Sequence, residues 1–207
     1  MLAVGAVIVG LFFILSLYLQ QTLDYSALQA GLSQLPLAGL LVIVAGTAGT
    51  IVEKVGIKPV LLTGLALLTG GLVWLSQITV GGSFVVDVLG PSLLIGAGLG
   101  LAFVPLTIGS VLDADDNSYG LASGLINTSQ QVGGALGLAV VTATAESITG
   151  PDGDMIAVTH GYQIALLVAA GIAALAFAGA AVLTPHPRNH AVQTASPDQA
   201  SSGPGPR

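Results

Sequence analysis

Six long apolar runs, separated by short polar segments, dominate the sequence. They cover approximately residues 1–20, 31–52, 59–78, 86–111, 120–145 and 161–183. Each run is long enough for an α-helix to cross a bilayer, since about 30 Å of hydrocarbon takes roughly 20 residues. Strands of a membrane barrel would instead alternate apolar and polar positions over about ten residues. The pattern therefore predicts an all-α membrane protein with six transmembrane helices.

Composition supports a lipid environment. Of the 207 residues, 53% are hydrophobic and 7% are charged, whereas about a quarter of the residues in a soluble domain are charged. The 29 glycines suit membrane helices that pack closely through small residues. There is no cysteine, which excludes disulfides and thiolate metal sites. Four basic residues and a net charge of −6 exclude a phosphate-binding surface, so no nucleic-acid partner is expected.

The basic residues predict the orientation. The segments that connect the runs alternate between two sides: 53–58, 112–119 and the tail after 184 on one side, and 21–30, 79–85 and 146–160 on the other. Every basic residue falls on the first side: Lys54, Lys58, Arg188 and Arg207. Because cytoplasmic loops of membrane proteins carry the excess of lysine and arginine, that side and both termini should be cytoplasmic.

The chain divides into a six-helix transmembrane unit, residues 1–184, and a tail, residues 185–207. The tail is rich in Pro, Ser, Gly and Gln and should be a disordered cytoplasmic segment. At the other end, Met1 runs directly into an apolar stretch without a polar leader. We expect from this that the natural protein, or its ancestor, began well upstream.

A charged loop joins the second and third runs. It is the stretch GTIVEKVGIKP, residues 49–59, and its notable positions are Gly49, Glu53, Lys54, Gly56 and Lys58. The first glycine lets another helix approach, the acid and the first base sit at the membrane interface, and the second glycine permits a tight reversal with positive φ. From these residues alone, an ordinary positive-inside turn is the alternative explanation of the loop.

The charged loop resembles the signature loop of the major facilitator superfamily, which lies between the second and third helices of each six-helix half. Other segments extend the likeness: FFILSLYLQQ at 12–21, YSALQAG at 25–31, GLGLAFVPL at 98–106 and GLASGLINTSQQVGGALG at 120–137. In this order they resemble the C-terminal half of the fourteen-span drug:H⁺ antiporters. The resemblance covers roughly residues 8–183.

This resemblance implies a six-helix half of a proton-coupled exporter of drugs or amphipathic metabolites, in which the charged loop latches the cytoplasmic face. Its partners would be the bilayer, an N-terminal transporter half or a second copy, and the substrate. Beyond the proton, no cofactor or metal is implied, and the location would be the bacterial inner membrane. Two positions depart from the family: Glu53-Lys54 replaces a frequent Asp-Arg pair, and Gln130 stands where relatives often have a base. The superfamily's N-terminal half, with its glycine-rich antiporter motif, is missing.

The fifth run carries the clearest polar face. At 100° per residue, Ser123, Asn127 and Gln131 share one narrow stripe, which Gln130 flanks. Because an amide that faces lipid is costly, this stripe is expected to point into the bundle or a cavity and to line the substrate path. Hydrogen bonding between packed helices is the alternative explanation.

Four further side chains are candidates for lining the path. Tyr18, Gln20 and Gln21 end the first run, where they would form an external vestibule or anchor the interface. Phe103 in the fourth run would stack on an apolar drug or pack in the interior.

Helix packing and kinking account for another set of residues. Small residues let helices approach closely, and proline removes a helical hydrogen bond. The positions are Gly96, Gly100, Pro105, Gly120, Gly124, Gly133 and Gly137.

No acidic residue lies near the middle of a run, so the main proton site is expected in the absent half. Asp87 is the best local candidate, although a solvated helix N-terminal acid explains it as well. His160 is expected in an external loop; with His186 and His190 in the tail it makes no metal-ligand pattern. No hydrolase or metalloprotease motif is present, so no enzyme is predicted. The alternative to transport is a six-helix structural subunit that dimerises or assists a transporter without turnover.

Overall fold

The structure, a computed structural model, describes residues 1–111, 119–150 and 153–183. Every regular element in these ranges is helical: α1 (Leu2–Leu17), α2 (Ala27–Ser33), α3 (Leu35–Val55), α4 (Ile57–Leu75), α5 (Gly90–Val111), α6 (Tyr119–Thr149) and α7 (Met155–Leu183). Two π-helical turns, Tyr18–Thr22 and Phe84–Leu89, extend α1 and precede α5. The predicted all-α membrane class is confirmed. The predicted tail, with His186 and His190, lies outside the described residues.

The described helices form six spans of sufficient length and apolarity to cross a membrane. Their ends differ from the sequence prediction most between the fifth and sixth spans. The fifth continues to Thr149 and the sixth begins at Met155, so the connection predicted at 146–160 is short and His160 belongs to a helix rather than a loop. Apolarity marks the depth of hydrocarbon, whereas a helix can continue into water with polar side chains. Gly150, at φ +70°, follows the end of α6.

Local capping explains two other boundaries. Ser26 and Gln29 form a capping box in which Ser26 N donates to Gln29 Oε1 at 2.9 Å and Gln29 N donates to Ser26 Oγ at 3.3 Å. The second span therefore becomes helical at Ala27, earlier than the predicted residue 31. At the start of α7, Ala157 N donates to Asp154 Oδ1 at 2.9 Å. These caps satisfy amide groups that a helix start leaves unpaired.

Close backbone approach holds α1 against α6. A Cβ added at Gly133 would overlap the backbone carbonyl of Leu2, and one added at Gly137 would lie 2.6 Å from the carbonyl carbon of Ala6. Residue numbers rise together along both helices at these contacts, so α1 and α6 run parallel. The close approach predicted for Gly133 and Gly137 is thus present in the structure.

The α5 helix is wedged between α3 and α4 through glycines on opposite faces. A Cβ at Gly96 would lie 2.5 Å from the carbonyl oxygen of Leu37, and one at Gly100 would lie 2.8 Å from that of Leu41, both on α3. On the other face, a Cβ at Gly98 would lie 2.5 Å from Leu68 N on α4. The helix runs without a break through buried Pro105.

Candidate functional site

The charged loop is a single-residue reversal between α3 and α4. Gly56 has φ +88°, and its N–H donates to Val52 O at 2.8 Å. Glu53 and Lys54 are exposed at the end of α3, while Lys58 is half-buried in the first turn of α4. The positive φ predicted for the second glycine is therefore present, and the loop presents both signs of charge at one end of the bundle.

The polar stripe on α6 faces away from the other described helices of this chain, so it does not point into this six-helix unit. That it faces a cavity and lines the substrate path stays a prediction. Ser123, Asn127 and Gln131 are exposed, and Gln130 is half-buried beside α1. The sequence pattern identified the polar face correctly but not what that face meets. Packing against α1 uses the glycines around Gly137 instead, which turns the amides outward.

Open glycines accompany this outward stripe. In the part of the chain that the structure describes, no atom lies within 4 Å of a Cβ built at Gly120 or Gly124 on α6, or at Gly39, Gly46 or Gly49 on α3. The close approach predicted for the pair Gly120 and Gly124 is thus not made inside this six-helix unit. Both helices present small residues to whatever lies beside them.

Several residues predicted to line the pathway instead make contacts inside the six-helix unit. Tyr18 is fully buried and its hydroxyl donates to Thr79 O at 3.0 Å, so it neither lines a vestibule nor anchors an interface. Gln20 Nε2 donates to Ser16 O at 3.1 Å, within its own helix. Phe103 is partly buried and packs against the apolar core. Gln21, the last of these four side chains, lines a cleft.

That cleft lies between α1, α6 and α7 and has a volume of ≈ 500 Å³. It is lined by apolar, aromatic and polar side chains and by a glycine: Phe13, Ile14, Leu17, Gln21, Thr142, Ala145, Glu146, Thr149, Gly150, Val158 and Tyr162. A concave, mostly apolar site with a few polar groups is the usual form of a small-molecule site. Sequence reasoning did not select Thr142 or Tyr162 as site residues.

Three long-range hydrogen bonds tie this end of the bundle together. Tyr162 OH donates to Gln21 Oε1 at 2.6 Å, and Gln163 Nε2 donates to Ile78 O at 2.7 Å. The third is the bond from Tyr18 to Thr79 described above. They join the first span, the connection after α4 and the last span at one end, where the predicted external segments meet. A phenol beside an amide in an otherwise apolar run is the sequence signal that could have identified Tyr162 and Gln163.

The acidic residues occupy different positions at the ends of spans. Asp87 Oδ2 accepts a hydrogen bond from Ser83 N at 3.0 Å, so it caps the π-helical turn before α5, as the helix N-terminal explanation predicts. Glu146 is exposed in the wall of the cleft. Among the described residues there is no cluster of metal-ligating side chains.

These features define a polytopic α-helical membrane protein with a charged reversal at one end and a cleft at the other. The sequence profile of the Major Facilitator Superfamily matches residues 1–138. This chain belongs to that superfamily.

Individual relatives include proteins that are named for export or resistance. The cephamycin export protein CmcT of Amycolatopsis lactamdurans is 36% identical over 158 residues, which cover 75% of this chain and 32% of the relative. The puromycin resistance protein of Streptomyces alboniger is 29% identical, covering 79% and 35%. The quinolone resistance protein NorB of Staphylococcus aureus is 27% identical, covering 86% and 38%. The chain thus spans about a third of the length of these curated relatives.

Proposed function

We propose that this chain acts as the C-terminal half of a proton-coupled exporter that moves drugs or amphipathic metabolites by alternating access. The observation that carries the proposal is the exposed polar and small residues on α3 and on α6. It combines exposed amides at Asn127 and Gln131 with open glycines such as Gly46 and Gly124. An amide in contact with lipid is costly, and glycines on membrane helices favour close contact with another helix.

A second helical body on this face would explain both features. It would bury the amides of α6 beside the substrate path and use the glycines for close packing. The names of the relatives, which refer to cephamycin export and to puromycin and quinolone resistance, support export as the activity. In this proposal the two bodies rock about a midplane site while the charged loop latches the cytoplasmic face.

Proton coupling would depend on an acid of the second body. Asp87 is engaged as a cap at the end of a span, and Glu53 is exposed in the charged loop. Neither position is at the depth where coupling acids usually lie. We further propose that the membrane is the bacterial inner membrane, with both termini in the cytoplasm.

Crosslinking in membranes tests the proposed face. Because the chain has no cysteine, single cysteines can be introduced as Gln131→Cys on α6 and Ile43→Cys on α3, with Leu175→Cys, which is 74% exposed on α7, as the matched control. We expect crosslinks to a helical partner from the first two variants and not from the third. Crosslinks between two copies alone would support the structural subunit instead.

Reconstitution tests whether the unit works alone. Purified chain in proteoliposomes with a pH gradient is expected to show no proton-driven export, while the chain together with an N-terminal half restores it. Proton-coupled export by the purified chain without a partner would overturn the proposal that it is one half.

A further inference from the structure

The segment 78–83, which connects α4 to the π-helical turn before α5, is fixed at its start by two other spans. Gln163 Nε2 of α7 donates to the carbonyl oxygen of Ile78 at 2.7 Å. The hydroxyl of Tyr18, at the end of the first span, donates to the carbonyl oxygen of Thr79 at 3.0 Å. We call this segment the strap. Movement of its first two residues would break contacts with the first and the last span.

A carboxylate holds the other end of the strap. Oδ2 of Asp87 accepts a hydrogen bond from Ser83 N at 3.0 Å, and Ser83 Oγ accepts one from Val86 N at 3.4 Å. These two bonds have the reciprocal form of a capping box, here at a π-helical turn. A Cβ added at Gly82 would overlap Oδ2 of Asp87. The carboxylate therefore lies directly against the backbone of the strap.

Two glycines between these attachments allow the strap to move. Gly81 has φ +80°, and no described atom lies within 4 Å of a Cβ built on it. Gly82 follows it, and glycine has the widest choice of backbone conformations. Hinges are a few residues that absorb changes in φ and ψ. The strap thus has a fixed start, a glycine hinge and an end that one carboxylate holds.

The strength of this hold depends on the charge of Asp87. A hydrogen bond to an ionised acceptor is roughly twice as strong as one between neutral groups, so protonation of Asp87 would weaken the bond from Ser83 N. The phenol of Tyr18 interacts electrostatically with the carboxylate from the end of the first span.

Other charged groups lie on other segments. Residues 76–83 carry no charge, and both lysines lie at the far end of α4, in the charged loop. The remaining ionisable side chains of the described residues at this end of the bundle belong to the connection before α2, to α6 and to the start of α7: Asp24, Tyr25, Glu146, Asp154, His160 and Tyr162. Asp87 is the acid that bonds the backbone of the strap.

We propose that Asp87 makes the strap proton-sensitive: the ionised carboxylate keeps the strap closed on the first and last spans, and protonation releases it. Ser83 Oγ still accepts from Val86 N after protonation, so the turn before α5 stays in place while the strap opens at its hinge. This switch is separate from the coupling acid of the second body. Its part in export rests on the proposed function, whereas its response to protons is a property of this chain.

Hydrogen–deuterium exchange of two amides in the purified chain measures the opening. Gly82 N donates to Thr79 O at 3.2 Å, and Ser83 N donates to Asp87 Oδ2 at 3.0 Å. Rates are corrected for the intrinsic effect of pH and followed from about pH 8 to about pH 3.5, which covers the ordinary range of carboxylic acids. We expect both amides to exchange about tenfold faster at the acidic end, where the acceptor is neutral.

Three variants assign this change to the carboxylate. Asp87→Asn should exchange at every pH at the rate that the unchanged chain reaches in acid. Gly82→Ala keeps the acid but places a methyl group where Oδ2 lies, so it should also exchange fast at every pH. The matched control is Asp154→Asn, because Asp154 Oδ1 accepts from Ala157 N at 2.9 Å at the start of α7. This control should keep the pH dependence of the strap.

A double-mutant cycle distinguishes the strap from a local cap. Tyr18→Phe removes the hydroxyl that holds Thr79 O. If both ends hold one segment, the effects of Tyr18→Phe and Asp87→Asn on exchange of the Gly82 amide should be non-additive. Additive effects, or exchange that does not change with pH, would overturn the proposal. Export by the chain paired with an N-terminal half, with strap exchange independent of Asp87, would refute the switch and leave the proposed function standing.

Discussion

The phenol oxygen of Tyr162 lies 2.6 Å from Oε1 of Gln21, and this hydrogen bond joins the last span to the π-helical turn that ends the first. The two residues are 141 positions apart. Tyr162 is 5% exposed and Gln21 is exposed, so the bond is partly buried and fixes one edge of the cleft. The site therefore depends on a contact between the two ends of the described chain.

Removing the phenol oxygen should weaken this edge. We expect Tyr162→Phe to lower the free energy of unfolding by about 1 kcal/mol, the usual net contribution of one hydrogen bond. Thermal unfolding in detergent measures it. Tyr25→Phe is the control, because Tyr25 is partly exposed and its hydroxyl makes no hydrogen bond to the described residues. Equal losses in both variants would mean that the bond to Gln21 contributes nothing specific.

The connection after α4 should depend on Gln163. Its amide donates to Ile78 O at 2.7 Å, next to the carbonyl of Thr79 that Tyr18 binds. Gln163→Leu leaves the carbonyl of Ile78 without that donor, and we expect faster hydrogen–deuterium exchange in segment 76–83 and a loss of about 1 kcal/mol. Gln77→Leu, at an exposed neighbouring position, should change neither. Unchanged exchange in the Gln163 variant would contradict the role of this bond.

Substitutions at two glycines of α6 should have different effects on the stability of the chain. A Cβ at Gly137 meets the backbone of Ala6, which cannot move aside, whereas one at Gly124 meets no described atom within 4 Å. We expect Gly137→Ala to destabilise the chain by about 1–3 kcal/mol and Gly124→Ala to be neutral or stabilising, because alanine favours helix. Thermal unfolding of the purified chain distinguishes them. A similar loss from both substitutions would refute the packing of α1 on α6.

When a partner half is present, a substitution at Gly124 also tests the proposed contact face. If α6 forms the proposed contact face, Gly124→Val should reduce crosslinking and export while leaving the isolated chain folded. A fully active Gly124 variant would place the partner elsewhere.

The charged loop should tolerate a side chain at Gly56 poorly despite open space around it. No described atom lies within 4 Å of a Cβ there, but φ is +88°, where a β-branched residue is strained by roughly 1–3 kcal/mol. In the chain paired with an N-terminal half, we expect Gly56→Val to reduce the export rate more than the amount of protein. Gly70→Val, at an open helical position, is the control. Normal export by the Gly56 variant would count against a latch.

The number of spans and their helical type could be predicted from the sequence because apolar length alone sets them. Their ends could not, since α6 continues past Glu146 into polar sequence where apolarity no longer reports on the backbone. Which side of α6 packs on the other described helices could not be predicted from the stripe at Asn127 either. Periodicity shows which residues share a face, but the identity of the neighbour depends on packing that only the three-dimensional structure shows.

The cleft was beyond sequence reasoning for a related reason. Its wall combines α1, α6 and α7, and a single sequence gives no information on which spans are neighbours. Gln21 was selected because it ends an apolar run. Tyr162 was overlooked because a tyrosine near the end of a span is common at membrane interfaces, and its partner lies in the first span.

Because the chain has no cysteine, single introduced cysteines can test its orientation in the membrane. Gln77 follows α4 and Val55 ends α3, and both are exposed. Because the lysines at 54 and 58 should lie in the cytoplasm, a membrane-impermeant maleimide added to intact cells should label Gln77→Cys and not Val55→Cys, whereas permeabilised cells should label both. Labelling of Val55→Cys alone in intact cells would reverse the orientation and place the cleft of Glu146 on the cytoplasmic side.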